Sequence, residues 1–149
     1  SALARFIAAR LSGNDGLFKT EAKGRQVKGA ELEDYAYVVT GLLDYADAAN
    51  SPTSRALAVR LAHRAWQLFH TDKGWQREAE PLLKTALPEA VLPDGALPSP
   101  SSMLVAASLR TGDASLAAKA RQALAWHSGA MARDPFAFAT QIRAYRQAY

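Results

Sequence analysis

The chain has 149 residues, of which 49% are hydrophobic and 21% are charged, and its net charge is +4. This length and composition suit a single domain that buries its own core. The sequence has no cysteine, which excludes disulfides, thiolate metal sites and thiol redox chemistry in this segment. No apolar run approaches the ~18 residues that a membrane-spanning helix needs.

The excess of basic residues does not by itself indicate a nucleic-acid partner. Arginines and lysines are spread along the chain and do not form a block. A nucleic-acid-binding domain would more often gather them on one face with aromatic residues between them. We therefore interpret them as a solvated surface and expect neither a nucleic-acid nor a membrane partner. Composition does not identify the cellular compartment. We favour the cytoplasm.

The apolar pattern predicts an all-α fold. Alanine is abundant and β-branched residues are sparse, which favours helix over sheet. Apolar residues recur at helical spacing in six segments. The predicted helices span about residues 2–11, 31–49, 52–70, 100–111, 114–128 and 135–148, and His127 aligns with the apolar stripe of the fifth. The whole chain is therefore predicted to be one helical domain of antiparallel hairpins.

Capping residues mark the ends of these helices. Ser51-Pro52, Ser99-Pro100 and Asp134-Pro135 each place a capping acceptor before a proline at the first helical position. In Gly112-Asp113, the glycine ends one helix and the aspartate caps the start of the next. These signals predict three helix starts and one tight turn between helices.

The connectors alternate between short and long. Two of the helix pairs are joined by tight turns, whereas residues 12–30 and 71–99 are long and contain short extended pieces, with a hairpin turn at Lys23-Gly24. If successive helices are antiparallel, the second, fourth and sixth begin at one end, together with both long connectors. Helix N-termini carry partial positive charge and free N–H groups, so we expect any binding site at this end.

Several segments resemble one protein family. They are Asp15-Gly16-Leu17-Phe18-Lys19-Thr20, Glu33-Asp34-Tyr35-Ala36, Gly41-Leu42-Leu43-Asp44, Phe69 through Trp75, Asp94-Gly95-Ala96-Leu97-Pro98-Ser99 and Thr111-Gly112-Asp113. These segments resemble the C-terminal helical region of the thioredoxin-domain-containing proteins related to the spermatogenesis-associated thioredoxin-like protein. The chain departs from the family at Pro100-Ser101-Ser102, where relatives continue Gly-Asn-Ser.

The resemblance implies an α/α toroid of the six-hairpin glycosidase type, of which six helices form about half. It further implies that the chain is a C-terminal fragment of a longer protein and that its partner is an upstream thioredoxin-like domain. The terminal helices carry apolar stripes, Leu3-Ile7-Leu11 and Phe138-Ile142-Tyr145. Because a half ring leaves such stripes uncovered, we expect the fragment to self-associate or to cover these faces by rearranging its ends.

Carboxylates at the shared end are the candidates for chemistry. Glycoside hydrolysis uses two carboxylates about 5–5.5 Å or 6.5–9.5 Å apart. Asp34 and Asp94 are the candidate catalytic residues, and Asp72, Glu78 and Glu80 lie in the second long connector. The alternative for Asp34 is structural, since an acid in the first turn of a helix complements the helix dipole.

Four further residues are candidate binding groups: Glu33, Tyr35, Trp75 and Ser99. Trp75 could stack on a sugar ring, although an aromatic residue in a long loop more often anchors that loop to the core. The three histidines His63, His70 and His127 form no metal-binding spacing, so we expect neither a metal nor a cofactor.

Two functions remain open for the chain. One is a toroid module that binds or processes carbohydrate, with a sugar-like ligand at the acidic end. The other is a non-catalytic helical module that serves an attached thioredoxin-like domain. The sequence does not decide whether the chain is an enzyme, because toroids support many activities and some have none.

Overall fold

The computed structural model describes residues 1–80, 87–126 and 128–149. These residues form seven α-helices and three two-stranded hairpins. The helices are α1 (Ala2–Phe6), α2 (Leu32–Ala49), α3 (Pro52–Phe69), α4 (Pro100–Arg110), α5 (Ala114–Trp126), α6 (Ser128–Arg133) and α7 (Ala139–Ala148). A π-helical segment, Ile7–Leu11, continues α1. The prediction of a mostly helical chain is confirmed.

The β-structure is short and antiparallel. The first two hairpins pair β1 (Ser12–Gly13) with β2 (Gly16–Leu17) and β3 (Thr20–Ala22) with β4 (Arg25–Val27), and the third pairs β5 (His70–Thr71) with β6 (Gly74–Trp75). Between β3 and β4, Lys23 and Gly24 have φ angles of 49° and 74°. Positive φ at both central residues is typical of the two-residue turns that match strand twist, so the predicted hairpin turn is confirmed.

Three predicted helix boundaries are also confirmed. Ser51 Oγ accepts a hydrogen bond from the Ser54 N–H, and Ser99 Oγ accepts one from the Ser102 N–H. Gly112 adopts a positive φ of 81° at the end of α4. Local hydrogen bonding of this kind satisfies N–H groups that the helix itself leaves free.

Two boundaries differ from the prediction. The last helix begins at Ala139 rather than near residue 135, and Asp134 instead holds a turn through the Ala137 N–H. The cap of α7 comes from Asp94, a residue distant in sequence whose carboxylate accepts the Thr140 N–H. The fifth predicted helix, at about residues 114–128, corresponds to α5, and α6 follows it as a short helix that the pattern did not predict. His127 lies outside the described residues.

The helices pack side by side around one core. Helix α2 packs against α3 and α4, and α4 packs against α5 and α7. Fully buried side chains from these helices form the core: Leu32, Leu43, Leu61, Phe69, Leu104, Leu116 and Leu124. Burial of such side chains contributes about 1.5–3 kcal/mol each relative to exposure.

Candidate functional site

Helices α2, α4 and α7 begin at the same end of the molecule. Near the start of α2, the Tyr37 hydroxyl donates to the carbonyl oxygen of Pro98, just before α4, at 2.8 Å. At the far end of the same two helices, Arg110 pairs with Asp44 at 2.8 Å. These contacts make α2 and α4 parallel, as the pattern of connectors predicts. The shared end is therefore where the candidate residues lie.

Asp94 connects the starts of α4 and α7. Its Oδ1 accepts the Ser99 N–H at 2.7 Å, and its Oδ2 accepts the Thr140 N–H at 2.8 Å. Burial raises the pKa of this carboxyl, but the N–H groups of Thr140 and Ser99 outweigh burial and hold the pKa below its ordinary value. The Asp94 carboxylate thus links the N-terminal ends of α4 and α7.

Asp34 occupies the first turn of α2 and is bound to its own helix. Its Oδ2 accepts the backbone N–H of Glu31 at 2.8 Å. The Glu31 carboxylate in turn pairs with the Lys19 ammonium. A side chain that reaches back to the residue before the helix is half of a capping box. This geometry gives Asp34 the structural role that the sequence left as its alternative.

Glu33 and Asp94 lie near the same side chain, Tyr37. The pKa of Tyr37 is raised, first by burial and then by the negative charges of Glu33 and Asp94. Glu33 itself is exposed. The Tyr37 phenol therefore lies within the field of one exposed carboxylate and of one that is bound to the backbone.

Tyr35 is only 2% exposed, and its hydroxyl accepts the Leu17 N–H at 2.8 Å. Its ring meets Phe69 edge to face, with centroids 5.5 Å apart. Burial raises the pKa of this phenol. Tyr35 thus fixes the β1–β2 hairpin to α2, and it also forms part of a cleft wall.

Trp75 and Ser99 are buried in the interior. Trp75 is 2% exposed, and its ring centroid lies 4.7 Å from that of Trp66 and 4.6 Å from that of His70. Its backbone N–H donates to the Glu89 carbonyl oxygen, so it anchors the second long connector. Ser99 is the capping residue of α4. Neither side chain is accessible to a ligand in this arrangement.

A cleft of about 660 Å³ opens beside the start of α2, and we call it the α2 cleft. Its walls are Asp15, Gly16, Leu17, Phe18, Lys28, Gly29, Ala30, Glu31, Tyr35, Arg64, Leu68, Glu78, Ala79 and Glu80. The guanidinium Nε of Arg64 donates to the Asp15 carbonyl oxygen at 3.0 Å, which joins α3 to the first hairpin. The cleft therefore combines carboxylates, two cations and the half-buried ring of Phe18.

The cleft brings together only part of the predicted set. Tyr35 lines it, as do the connector carboxylates Glu78 and Glu80. Asp34, Asp94, Glu33, Trp75 and Ser99 are not among its lining residues. Sequence reasoning missed Arg64 and Phe18 as cleft residues. The first long connector was predicted to contain short extended pieces, but nothing local placed Arg64, on α3, opposite the hairpin there.

Other classes of site find no support in the described residues. No three histidine or acidic side chains within residues 1–80, 87–126 and 128–149 are grouped so that they could hold a metal ion. None of the helices in that part of the chain has both the length and the apolar character to cross a membrane.

No protein-family model matches the chain, and no curated protein matches it significantly. The family resemblance therefore stays a prediction.

Proposed function

We propose that the chain is part of an α/α-toroid protein and that its α2 cleft binds a hydroxyl-rich ligand of the carbohydrate class without cleaving it. One observation carries the proposal, the cleft of about 660 Å³ at the helix-start end of the molecule. Ligand sites for small molecules commonly measure about 300–1,000 Å³ and combine an apolar wall with a few convergent polar groups.

The wall chemistry suits hydroxyl groups, which both donate and accept hydrogen bonds. Glu78 and Glu80 offer carboxylate acceptors, whereas Lys28 and Arg64 offer donors. The ring of Phe18 supplies an apolar surface in the same wall. A sugar presents the matching combination, because its ring has apolar C–H faces and a polar edge.

The state of the candidate catalytic residues supports binding without hydrolysis. A general acid must hold its proton near neutral pH, which requires a raised pKa. The pKa of Asp94 is instead lowered by backbone N–H groups that outweigh the effect of burial. Asp34 is engaged in the first turn of α2. Both carboxylates therefore accept hydrogen bonds from backbone N–H groups and serve the fold.

The test is a calorimetric titration of the chain with neutral, amino and acidic oligosaccharides. The products of each mixture are then analysed. We expect saturable binding of at least one class, no hydrolysis, and about tenfold weaker binding in Glu80→Gln and Lys28→Gln, which alter exposed charged groups of the cleft. Lys119→Gln, on the exposed side of α5, is the matched control. Absence of binding by all classes, or release of sugar products, would contradict the proposal.

The alternative function is a non-catalytic interaction module attached to a thioredoxin-like domain. The exposure of Leu3 (66%) and Phe6 (46%) on α1 favours it, because exposed apolar side chains on one helix are suited to protein contacts. Under this alternative, Leu3→Ser with Phe6→Ser weakens association with an added thioredoxin-like domain, while the cleft variants leave it unchanged. A pull-down with purified domains distinguishes the two functions.

A further inference from the structure

A second cleft of about 430 Å³ lies between α1, the end of α2 and the start of α3, and we call it the α1–α3 cleft. Its lining residues are Ala4, Arg5, Ala8, Ser12, Tyr45, Ser51, Thr53, Ser54, Leu57 and Arg60. The lining thus contains two guanidinium groups and five hydroxyl groups, and no acidic residue. The α2 cleft, by contrast, is lined by more carboxylates than cations.

The two guanidinium groups are not neutralised within the described part of the chain. Arg10, Arg55 and Arg110 each pair with a carboxylate. Arg5 and Arg60 form no such ion pair with any residue that the structure describes. Two like charges on one cavity repel each other. An anion bound in the cleft would relieve that repulsion.

One hydroxyl group adds a directional donor to this charge, whereas those of Ser12, Ser51 and Thr53 already take part in hydrogen bonds within the chain. The Tyr45 hydroxyl, half-buried beside the cleft, has no hydrogen-bond partner among the described residues. The N-terminal end of α3 contributes few N–H donors, because Pro52 has no N–H and the Ser54 N–H already donates to Ser51 Oγ. The positive charge of the cleft therefore comes from the arginine side chains and not from the helix terminus.

We propose that the α1–α3 cleft binds the phosphate group of a small molecule, either inorganic phosphate or a phosphate monoester. Guanidinium groups present planar pairs of N–H donors that match the spacing of phosphate oxygens. The hydroxyl group of Tyr45 completes the donor set. This site is separate from the α2 cleft in its lining residues, so it goes beyond the proposed carbohydrate function.

The experiment is an NMR titration of the whole chain, in constant chloride, with inorganic phosphate and separately with glucose 6-phosphate. We expect saturable shifts of the Arg5 and Arg60 Nε–H signals and of the Thr53 amide. Arg60→Gln and Arg5→Gln should each weaken binding about tenfold, since a charge-assisted contact is lost. Arg143→Gln is the matched control, because Arg143 is an exposed helical arginine outside both clefts.

The two titrations also distinguish the source of the phosphate. Equal affinities would identify the free ion as the ligand, and tighter binding of the ester would show that the cleft also holds its organic part. Either result supports the proposal. Shifts that do not saturate, or that are as large in Arg60→Gln as in the unchanged chain, would overturn it. Circular dichroism of each variant verifies that the helices are retained.

Discussion

Tyr35 and Asp94 are polar side chains that accept hydrogen bonds from backbone N–H groups of other segments of the chain. The Tyr35 hydroxyl accepts the Leu17 N–H, and the Asp94 carboxylate accepts the N–H groups of Ser99 and Thr140. A buried N–H without an acceptor costs about 1–3 kcal/mol. Tyr35 and Asp94, which the sequence presents as candidate site residues, therefore also hold the connecting loops in position.

Tyr35→Phe tests the first of these contacts. The substitution keeps the aromatic packing on Phe69 but leaves the buried Leu17 N–H without its acceptor. We expect the free energy of unfolding to fall by about 1–3 kcal/mol in urea denaturation. Tyr45→Phe is the control, because the Tyr45 hydroxyl has no partner among the described residues. Equal effects of the two substitutions would contradict this account.

Asp94→Asn tests the second contact through its pH dependence. Because the pKa of Asp94 is lowered in the folded chain, its stabilising effect is complete above the ordinary aspartate pKa of about 3.9 and is lost as pH falls toward the folded value. We expect Asp94→Asn to lower Tm by about 2–4 °C at pH 7. This difference should shrink by pH 3. Asp72→Asn, at an exposed turn, should change Tm little at either pH.

The hairpin of β5 and β6 shows, at the scale of an element, how one glycine permits a close approach. Gly74 has a φ of 123°, and a Cβ atom there would lie 2.3 Å from the Glu89 carbonyl oxygen. That oxygen accepts the Trp75 N–H. The second long connector therefore packs directly on the glycine backbone, which brings Trp75 into the core.

Gly74→Ala should destabilise the chain by about 2–4 kcal/mol, because both backbone strain and the clash with Glu89 act against it. The matched control is Gly29→Ala. Gly29 also has a positive φ, 87°, but nothing lies within 4 Å of its added Cβ. We expect only the cost of strain there, about 1 kcal/mol. Chemical denaturation that gave the same loss for both would refute the role of the close approach.

On the scale of the whole molecule, apolar side chains remain exposed at both ends of the chain. Leu3 and Phe6 on α1, and Tyr145 and Tyr149 at the C-terminal end, are exposed. The two tyrosine rings contact each other, with centroids 4.8 Å apart. Exposed apolar groups that are close together favour association. Ile7 and Leu11, which belong to the predicted stripe of the first helix, instead pack partly buried against the core. Self-association stays a prediction.

Sedimentation analysis over a range of concentrations tests this prediction. We expect the average mass to rise with concentration, and to return toward that of one chain in Leu3→Ser with Phe6→Ser. Leu97→Ser, which changes an exposed leucine away from both termini, is the control. A single chain at all concentrations in the unchanged protein would show that these surfaces do not associate.

The sequence by itself determined the elements whose signals are local. Ser51, Ser99 and Gly112 set helix ends through contacts within a few residues. Lys23-Gly24 set the hairpin turn in the same way. The alternation of short and long connectors also determined that α2 and α4 begin at one end. Such features were predictable because their causes lie within one turn or one connector.

Only the tertiary structure decided the start of α7, the role of Asp94 and the lining of both clefts. Asp94 caps a helix 46 residues further along the chain, and this cap replaces the one predicted at Asp134. Arg64 contacts the first hairpin, and Arg5 and Arg60 line the same cleft, although neither pair is close in sequence. These arrangements depend on how the helices pack, and side-chain packing joins residues whose separation along the chain carries no local signal.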